Sequence, residues 1–288
     1  MKIGIVGHGS IGKRHAENAD ALGHQVIVYD PASRMDVKFE RDVYETVDAC
    51  VIATPSPFHE SGIRACVERG VHMLVEKPIS VGVGHLPLLI AEAAKKNLVF
   101  MMGNNLRFHP CVQQAKIWIT QRELGDPKWA SFICAAETTK KTYRGDGVIL
   151  NTGAHEVDLA LYLLGPAKVI CASAECIDGE DILVDFVLKH QNGARSSFHL
   201  DFETPNEVRE FWISGEKNIG VSLPTRAITL TGIDAKQAPG SYDDDYRNEM
   251  MGFIDRIEGR FAPGATGEDG LAALKVLLDV RKKAGLSQ

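Results

Sequence analysis

Lys2-Ile3-Gly4-Ile5-Val6-Gly7-His8-Gly9-Ser10-Ile11-Gly12 is the stretch that decides the fold. An apolar strand runs directly into G-x-G-x-x-G, and a helical pattern over residues 11–22 follows at once. Three glycines at that spacing are a weak signal alone; their place between strand and helix makes it specific. In such a unit Gly7 permits the tight turn, Gly9 lets the backbone approach a pyrophosphate, and Gly12 lets the helix pack close to the strand. The helix start at Ser10 and Ile11 presents unpaired N–H groups and a positive dipole end to phosphates. A second strand, residues 25–29, leads to Asp30, 18 residues beyond Gly12. A carboxylate there accepts hydrogen bonds from both adenosine ribose hydroxyls and disfavours a 2′-phosphate, so NAD is expected over NADP. Arg34 and Lys38 lie close enough in sequence to soften that preference.

Outward from this unit, strands are expected at 49–53, 72–75 and 99–102, with helices at 59–69 and 85–97 between them. Alternation of this kind predicts βαβ units in a parallel sheet. The strands are continuous apolar runs, as burial on both faces requires. After Gly103 the texture changes to a helix near 111–121, a strand near 128–136 and a helix over 152–164. That last helix sets Val157, Ala160, Leu161 and Leu164 on one face. From 167 to 231 strand follows strand, broken by turns such as Gln191-Asn192-Gly193. Helices near 246–258 and 268–284 close the chain, and the acidic run Asp243-Asp244-Asp245 reads as a solvated turn. The expected fold class is α/β. A doubly wound Rossmann domain over residues 1–104 precedes an α+β domain over 105–288 with an open, mainly antiparallel sheet.

Composition narrows the partners. The 288 residues carry a net charge of −6 with Lys and Arg scattered, which gives no footprint for nucleic acid or an anionic membrane. No apolar stretch approaches the ~20 residues that span a bilayer. A strand starting at Lys2 is incompatible with a cleaved signal peptide, so a cytoplasmic location is expected. Cysteines 50, 66, 111, 134, 171 and 176 form no C-x-x-C pair and are expected to be reduced and structural, with Cys50 buried in an apolar run.

Two further loops sit at strand ends, Thr54-Pro55-Ser56-Pro57-Phe58-His59 and Glu76-Lys77-Pro78, where doubly wound sheets hold ligands. Lys77 precedes a proline, which biases it to an extended conformation. A lysine in a partly dry cleft exchanges protons or polarises a hydroxyl, although a lysine after a strand is more often an ordinary exposed cation. His155-Glu156 starts an H-E-x-x-H pattern, but Leu159 stands where the second histidine belongs, and no metal is expected.

Taken in order, Gly7–Gly12 with Lys13-Arg14-His15, Ala53-Thr54-Pro55 with His59, Glu76-Lys77-Pro78, Gly103-Asn104-Asn105-Leu106-Arg107-Phe108-His109-Pro110, and Asn151-Thr152-Gly153-Ala154-His155-Glu156-Val157-Asp158 resemble the glucose–fructose oxidoreductase/inositol dehydrogenase (Gfo/Idh/MocA) family. Gly267-Glu268-Asp269-Gly270 resembles its usual C-terminal segment, so the likeness spans nearly the whole chain. The resemblance implies NAD(P)-dependent oxidation of a sugar or cyclitol secondary alcohol and an open sheet that mediates a homodimer or homotetramer. It places Lys77 and His155, with Asn151 beside them, in catalysis and Asn105 near the nicotinamide. Lys77 and Asn105 join Asp30, Thr54, Pro55, His59, Glu76 and the glycine loop in the expected cofactor site. Arg107, Asn151, His155 and Asp158 join Lys77 at a sugar-like substrate.

One departure stands out. Many members carry an aspartate where this chain has Asn151, four residues before His155. Asparagine donates and accepts hydrogen bonds but does not ionise, so the proton falls to His155, Lys77 or both. Asn151 resembles members acting on nucleotide-linked amino sugars. Asp158 either orients His155 or binds substrate, or else is a helix-surface carboxylate. The expected chemistry has His155 as general base and Lys77 stabilising the alkoxide as hydride leaves for NAD. The rivals are a non-catalytic NAD(P)-sensing regulator or scaffold, favoured mildly by Asn151, and an NAD-dependent glycosidase. The loop after Thr138 and residues 204–207 look too short for a large lid.

Overall fold

The N-terminal strand forms as β1 (Lys2–Val6) and feeds α1 (Ser10–Ala21) across the glycine turn. In the computed structural model, which describes residues 1–38, 40–136, 146–231 and 233–286, the chain divides into two units. The first holds Met1–Phe108 and Ser241–Ala272, the second His109–Gly240 and Ala273–Gln288. The loop after Thr138 lies outside the described residues.

In the first unit β2 (Gln25–Asp30), β3 (Arg34–Met35), α2 (Glu40–Thr46), β4 (Ala49–Ile52), α3 (His59–Arg69), β5 (His72–Glu76), α4 (Leu86–Lys95) and β6 (Phe100–Gly103) follow α1. β1 pairs in parallel with both β2 and β4, and β4, β5 and β6 continue the sheet in parallel. Strand order therefore reverses beside β1, the place where doubly wound sheets open a crevice at their carboxyl ends. The expected strands form within a residue or two; the short β3 and the seven-residue α2 carry too little periodicity to be read from sequence.

The second unit holds α5 (Pro110–Thr120), β7 (Trp129–Ala135), α6 (Gly147–Leu164), β8 (Ala167–Ile177), β9 (Glu180–His190), β10 (Arg195–Asp201), β11 (Val208–Ser214), β12 (Asn218–Ser222), β13 (Ala227–Leu230) and β14 (Ile233–Gln237). These strands make one sheet in the order β14-β13-β12-β11-β7-β10-β9-β8, antiparallel except for the β7–β10 pair. Phe186, Phe198, Phe132 and Phe211 sit opposite one another on four adjacent strands, with successive ring centroids 4.3, 5.0 and 5.5 Å apart. This stacked row, buried throughout, is the spine of the core beneath α6.

Helix α6 begins at Gly147, five residues before the expected start at Thr152. No local side chain caps it; Asp181, 32 residues away in sequence, accepts a hydrogen bond from the Ile149 N–H at 2.7 Å. A buried carboxylate at a helix N-terminus satisfies an orphan donor and complements the dipole.

The chain then returns to the first unit through α7 (Tyr242–Ile257), β15 (Ala265–Thr266) and the start of α8 (Gly267–Lys283). A single boundary at 104/105 leaves this return in the second domain; β15 instead pairs with β6. Met250, Phe253 and Ile254 of α7 join Leu74, Met101 and Phe108 in one core cluster, each burial worth about 1.5–3 kcal/mol. The acidic run Asp243–Asp245 is not a solvated turn but the first turn of α7, with Asp245 fully buried. Ser241 and Asp244 exchange hydrogen bonds as a capping box, which makes carboxylates favourable there.

Replacing Phe132 by Ala removes the centre of the aromatic row and is expected to cost about 3–5 kcal/mol. Urea denaturation checks this; a loss under about 1 kcal/mol contradicts the assigned core.

Candidate active site

The glycine loop has the clearances its sequence demands. Gly7 sits at φ +91° and a Cβ there falls 2.4 Å from the Ala53 carbonyl oxygen, while a Cβ on Gly12 falls 2.0 Å from that of Gly7. A Cβ on Gly9 meets nothing within 4 Å, so the space over the α1 N-terminus is open. Gly9 is the N-cap and offers no side-chain hydrogen bond, and the first turn carries no acidic residue. The N–H groups beginning at Ser10 and Ile11 are left for an anion, and a dinucleotide pyrophosphate fits that donor set.

Asp30 is held at the end of β2. Its Oδ2 accepts from the His8 N–H at 2.7 Å and its Oδ1 from the Ala32 N–H at 2.8 Å. Each oxygen retains a lone pair, so the carboxylate is aimed yet still able to accept from ribose hydroxyls. The Arg34 side chain lies outside the described residues.

At the ends of β4 and β6 several polar atoms are buried without hydrogen-bond partners: the Thr54 hydroxyl, the Asn104 carbonyl oxygen and both amide atoms of Asn105. Leaving such groups dry costs about 1–3 kcal/mol each. Their amide and hydroxyl chemistry fits a bound nicotinamide. Pro55 beside them is exposed.

Three expected cofactor or substrate residues make structural contacts. His59 is buried, with Nδ1 2.8 Å from the Pro78 carbonyl oxygen and Nε2 2.7 Å from that of Thr54. It staples the two strand-end loops together. Glu76 turns inward: Oε1 meets His15 Nε2 at 2.7 Å and Oε2 accepts from the Lys77 N–H at 3.2 Å. Arg107 is buried and donates to Asp269 at 3.1 Å and to the Gly264 carbonyl at 3.4 Å, anchoring the returning segment. Lys77 itself is half-buried at the end of β5 and joined to Pro78 by a cis peptide bond.

In the second unit Asn151, His155 and Asp158 lie along α6, past its first turn because the helix starts early. The spacing of Asn151 and His155 still sets them on one face. His155 is 8% exposed and Asp158 2%, so Asp158 is not a helix-surface carboxylate. Glu156 is buried against Arg209, whose guanidinium approaches it at 2.7 and 2.8 Å. His109 caps α5, its Nδ1 accepting from the Cys111 N–H at 3.2 Å. Burial and the Arg226 charge push its pKa down to about 4, so it is a neutral cap near pH 7.

Sequence reading missed the group around α7. Arg14 pairs with Asp243 at 3.0 Å and lies over the Tyr246 ring, 4.8 Å from its centroid. His15 meets Tyr246 edge-on at 5.8 Å. The signal was the spacing of Tyr246, Glu249, Met250 and Phe253, which sets a glutamate on an apolar helix face.

Fold and site together define a Rossmann-type dinucleotide oxidoreductase. Residues 1–104 match the oxidoreductase family with an NAD-binding Rossmann fold, and residues 112–219 match the GFO/IDH/MocA C-terminal domain. This chain belongs to the Gfo/Idh/MocA family of NAD-binding oxidoreductases and is an NAD(P)-dependent enzyme acting on CH–OH groups. It is 26% identical to the 1,5-anhydro-D-fructose reductase of Ensifer adhaerens over 262 residues, covering 84% of this chain and 79% of that protein. The structure of UDP-N-acetylglucosamine 3-dehydrogenase from Acidithiobacillus ferrooxidans is similar with a TM-score of 0.88 at 22% identity, covering 100% of this chain and 99% of that one. A levoglucosan dehydrogenase complexed with NADH matches with a TM-score of 0.90 at 17% identity over 99% and 97% of the two chains. No helix among the described residues is long and apolar enough to cross a membrane.

If the Asp30 carboxylate accepts from the ribose hydroxyls as expected, Asp30→Ala lowers NAD affinity about tenfold or more and NADP affinity less. Calorimetric titration with each cofactor checks this; an unchanged NAD/NADP ratio contradicts the assigned role.

Proposed function

We propose that this enzyme interconverts a secondary alcohol and a ketone on a sugar, nucleotide sugar or cyclitol, with Lys77 and His155 handling the hydroxyl proton. The observation that carries the reading is the placement of Lys77. It is half-buried at the carboxyl end of β5, with the turned-in Glu76 carboxylate accepting its backbone N–H. A bound nicotinamide supplies the hydride acceptor or donor. Lys77 donates a hydrogen bond that stabilises the developing alkoxide, and His155 takes the hydroxyl proton as general base. Asn151, one turn before His155, gives or accepts a hydrogen bond at a neighbouring substrate hydroxyl and leaves the proton to His155.

Among substrate classes the nucleotide sugars are favoured. Asn151 in place of the common aspartate and the full-length likeness to UDP-N-acetylglucosamine 3-dehydrogenase both support this. The outer sheet face presents Trp129 and Trp212, 43% and 49% exposed on the paired strands β7 and β11. That exposed aromatic pair suits a second copy of the chain in a homodimer or homotetramer.

The test is reduced-nicotinamide absorbance with NAD or NADP against a panel of sugars, polyols and nucleotide sugars. Turnover with one class is expected, cut about a thousandfold or more by Lys77→Met with cofactor binding retained. Unchanged turnover in that variant removes Lys77 from the mechanism. Silence across the panel with NAD bound favours the cofactor-sensing reading.

A further inference from the structure

Behind the Glu76-Lys77-Pro78 loop the first unit buries several acidic groups around one imidazole. His15, Asp245 and Glu249 are fully buried and Glu76 is 7% exposed. His15 and Glu76 touch at 2.7 Å, and a Glu249 oxygen lies within 4.8 Å of the facing atoms of both. Neither Glu249 oxygen has a hydrogen-bond partner, and neither does His15 Nδ1. Two cations of the same unit are committed elsewhere. Arg14 pairs with Asp243 and stacks on Tyr242 and Tyr246, and Arg107, on the turn that α7 packs against, pairs with Asp269. Room for Glu76 comes from Gly103 on β6, where a Cβ falls 2.9 Å from the Glu76 carboxyl.

A fully buried, unpaired carboxylate is among the most costly groups a core can hold, and a second carboxylate within 4.8 Å adds repulsion. Glu76 has partners, since His15 and the Lys77 N–H both reach its oxygens. Glu249 has neither. We infer that Glu249 is a neutral carboxylic acid in the folded enzyme, its O–H facing the Glu76 carboxylate and thereby steadying the strand end that carries Lys77. The groups facing Glu249 are Glu76 from β5, His15 from α1, and Asp245 and Tyr246 on its own helix. Burial first, then the charges of Glu76 and Asp245, push its carboxyl well above the usual carboxylate range.

Glu249 acts through Glu76 and is a positioning residue. Its effect on turnover rests on the reading of Lys77 given above; its protonation does not. A carboxyl raised above its unfolded value contributes stability that is complete below the ordinary glutamate range and fades as pH climbs toward the folded value, because the unfolded chain gives up that proton first. Glutamine mimics the neutral acid and lacks that loss.

The melting temperature of Glu249→Gln minus that of the wild type is therefore expected to rise by about 3 °C or more between about pH 5 and about pH 8. Infrared spectra of the wild type near pH 7 should show the carbonyl stretch of a buried neutral carboxylic acid, shifted in D₂O and missing from Glu249→Gln. Turnover should fall about tenfold in Glu249→Ala with the KM for NAD unchanged, and Glu249→Gln should recover most of it. A temperature difference that is flat or falls with pH overturns the inference. So does the absence of the infrared band, or a stoichiometric divalent cation in the purified wild type that Glu249→Gln loses. If Lys77→Met turns over normally while the band and the pH trend hold, the reading of Lys77 fails and the neutral acid stands.

Discussion

The structure of the first unit depends on one arrangement: the N-terminus of α1 is left without a cap at the mouth of the parallel sheet. A side chain can satisfy the orphan N–H groups of a helix start, as Ser241 does for α7 and Asp181 for α6. Gly9 provides none, and Gly7 and Gly12 bring the turn so close to Ala53 and to itself that no other residue fits without moving backbone. The result is a fixed set of donors well suited to an anion. Asp30, aimed by His8 and Ala32, then supplies the opposite charge one strand away, which suits a ligand anionic in the middle and rich in hydroxyls at one end. A dinucleotide meets both demands.

The rest of the first unit holds this edge still. His59 ties the loop after β4 to the loop after β5, and Glu76 ties the end of β5 to α1 through His15. Arg107 fastens the segment that brings β15 onto β6. Each is a buried polar residue whose partners lie far away in sequence, and each fixes a strand end rather than facing outward. The family motifs at these points therefore mix two kinds of residue, those expected to meet ligand and those that hold the strand ends in place.

Sequence alone made the first kind legible in outline and the second kind hardly at all. The strands, the helices and the glycine turn follow from local periodicity and backbone geometry, which a sequence carries directly. His59, Glu76 and Arg107 were expected at the ligand because they belong to the family motifs; only the fold reveals the carbonyls and carboxylates they turn to. The start of α6 was missed because its cap, Asp181, arrives from a distant hairpin. The acidic run at Asp243–Asp245 resembled a surface turn because three carboxylates in a row suggest water, yet the capping box and the buried Asp245 make it a helix start. The return of Ser241–Ala272 to the first unit depends on tertiary packing of Met250 and Phe253, which no local pattern assigns to one domain or the other.

Hydrogen–deuterium exchange of the full chain with and without NAD tests the central claim most directly, since it reads the backbone N–H groups themselves. The account predicts that NAD slows exchange in peptides covering Gly7–Lys13, the loop after β4 and the Asn104–Asn105 turn. Exchange on the far ends of the same strands should be unchanged. NAD binding that leaves the Gly7–Lys13 amides as fast as before would contradict it, because the uncapped helix start would then not be where the cofactor is held.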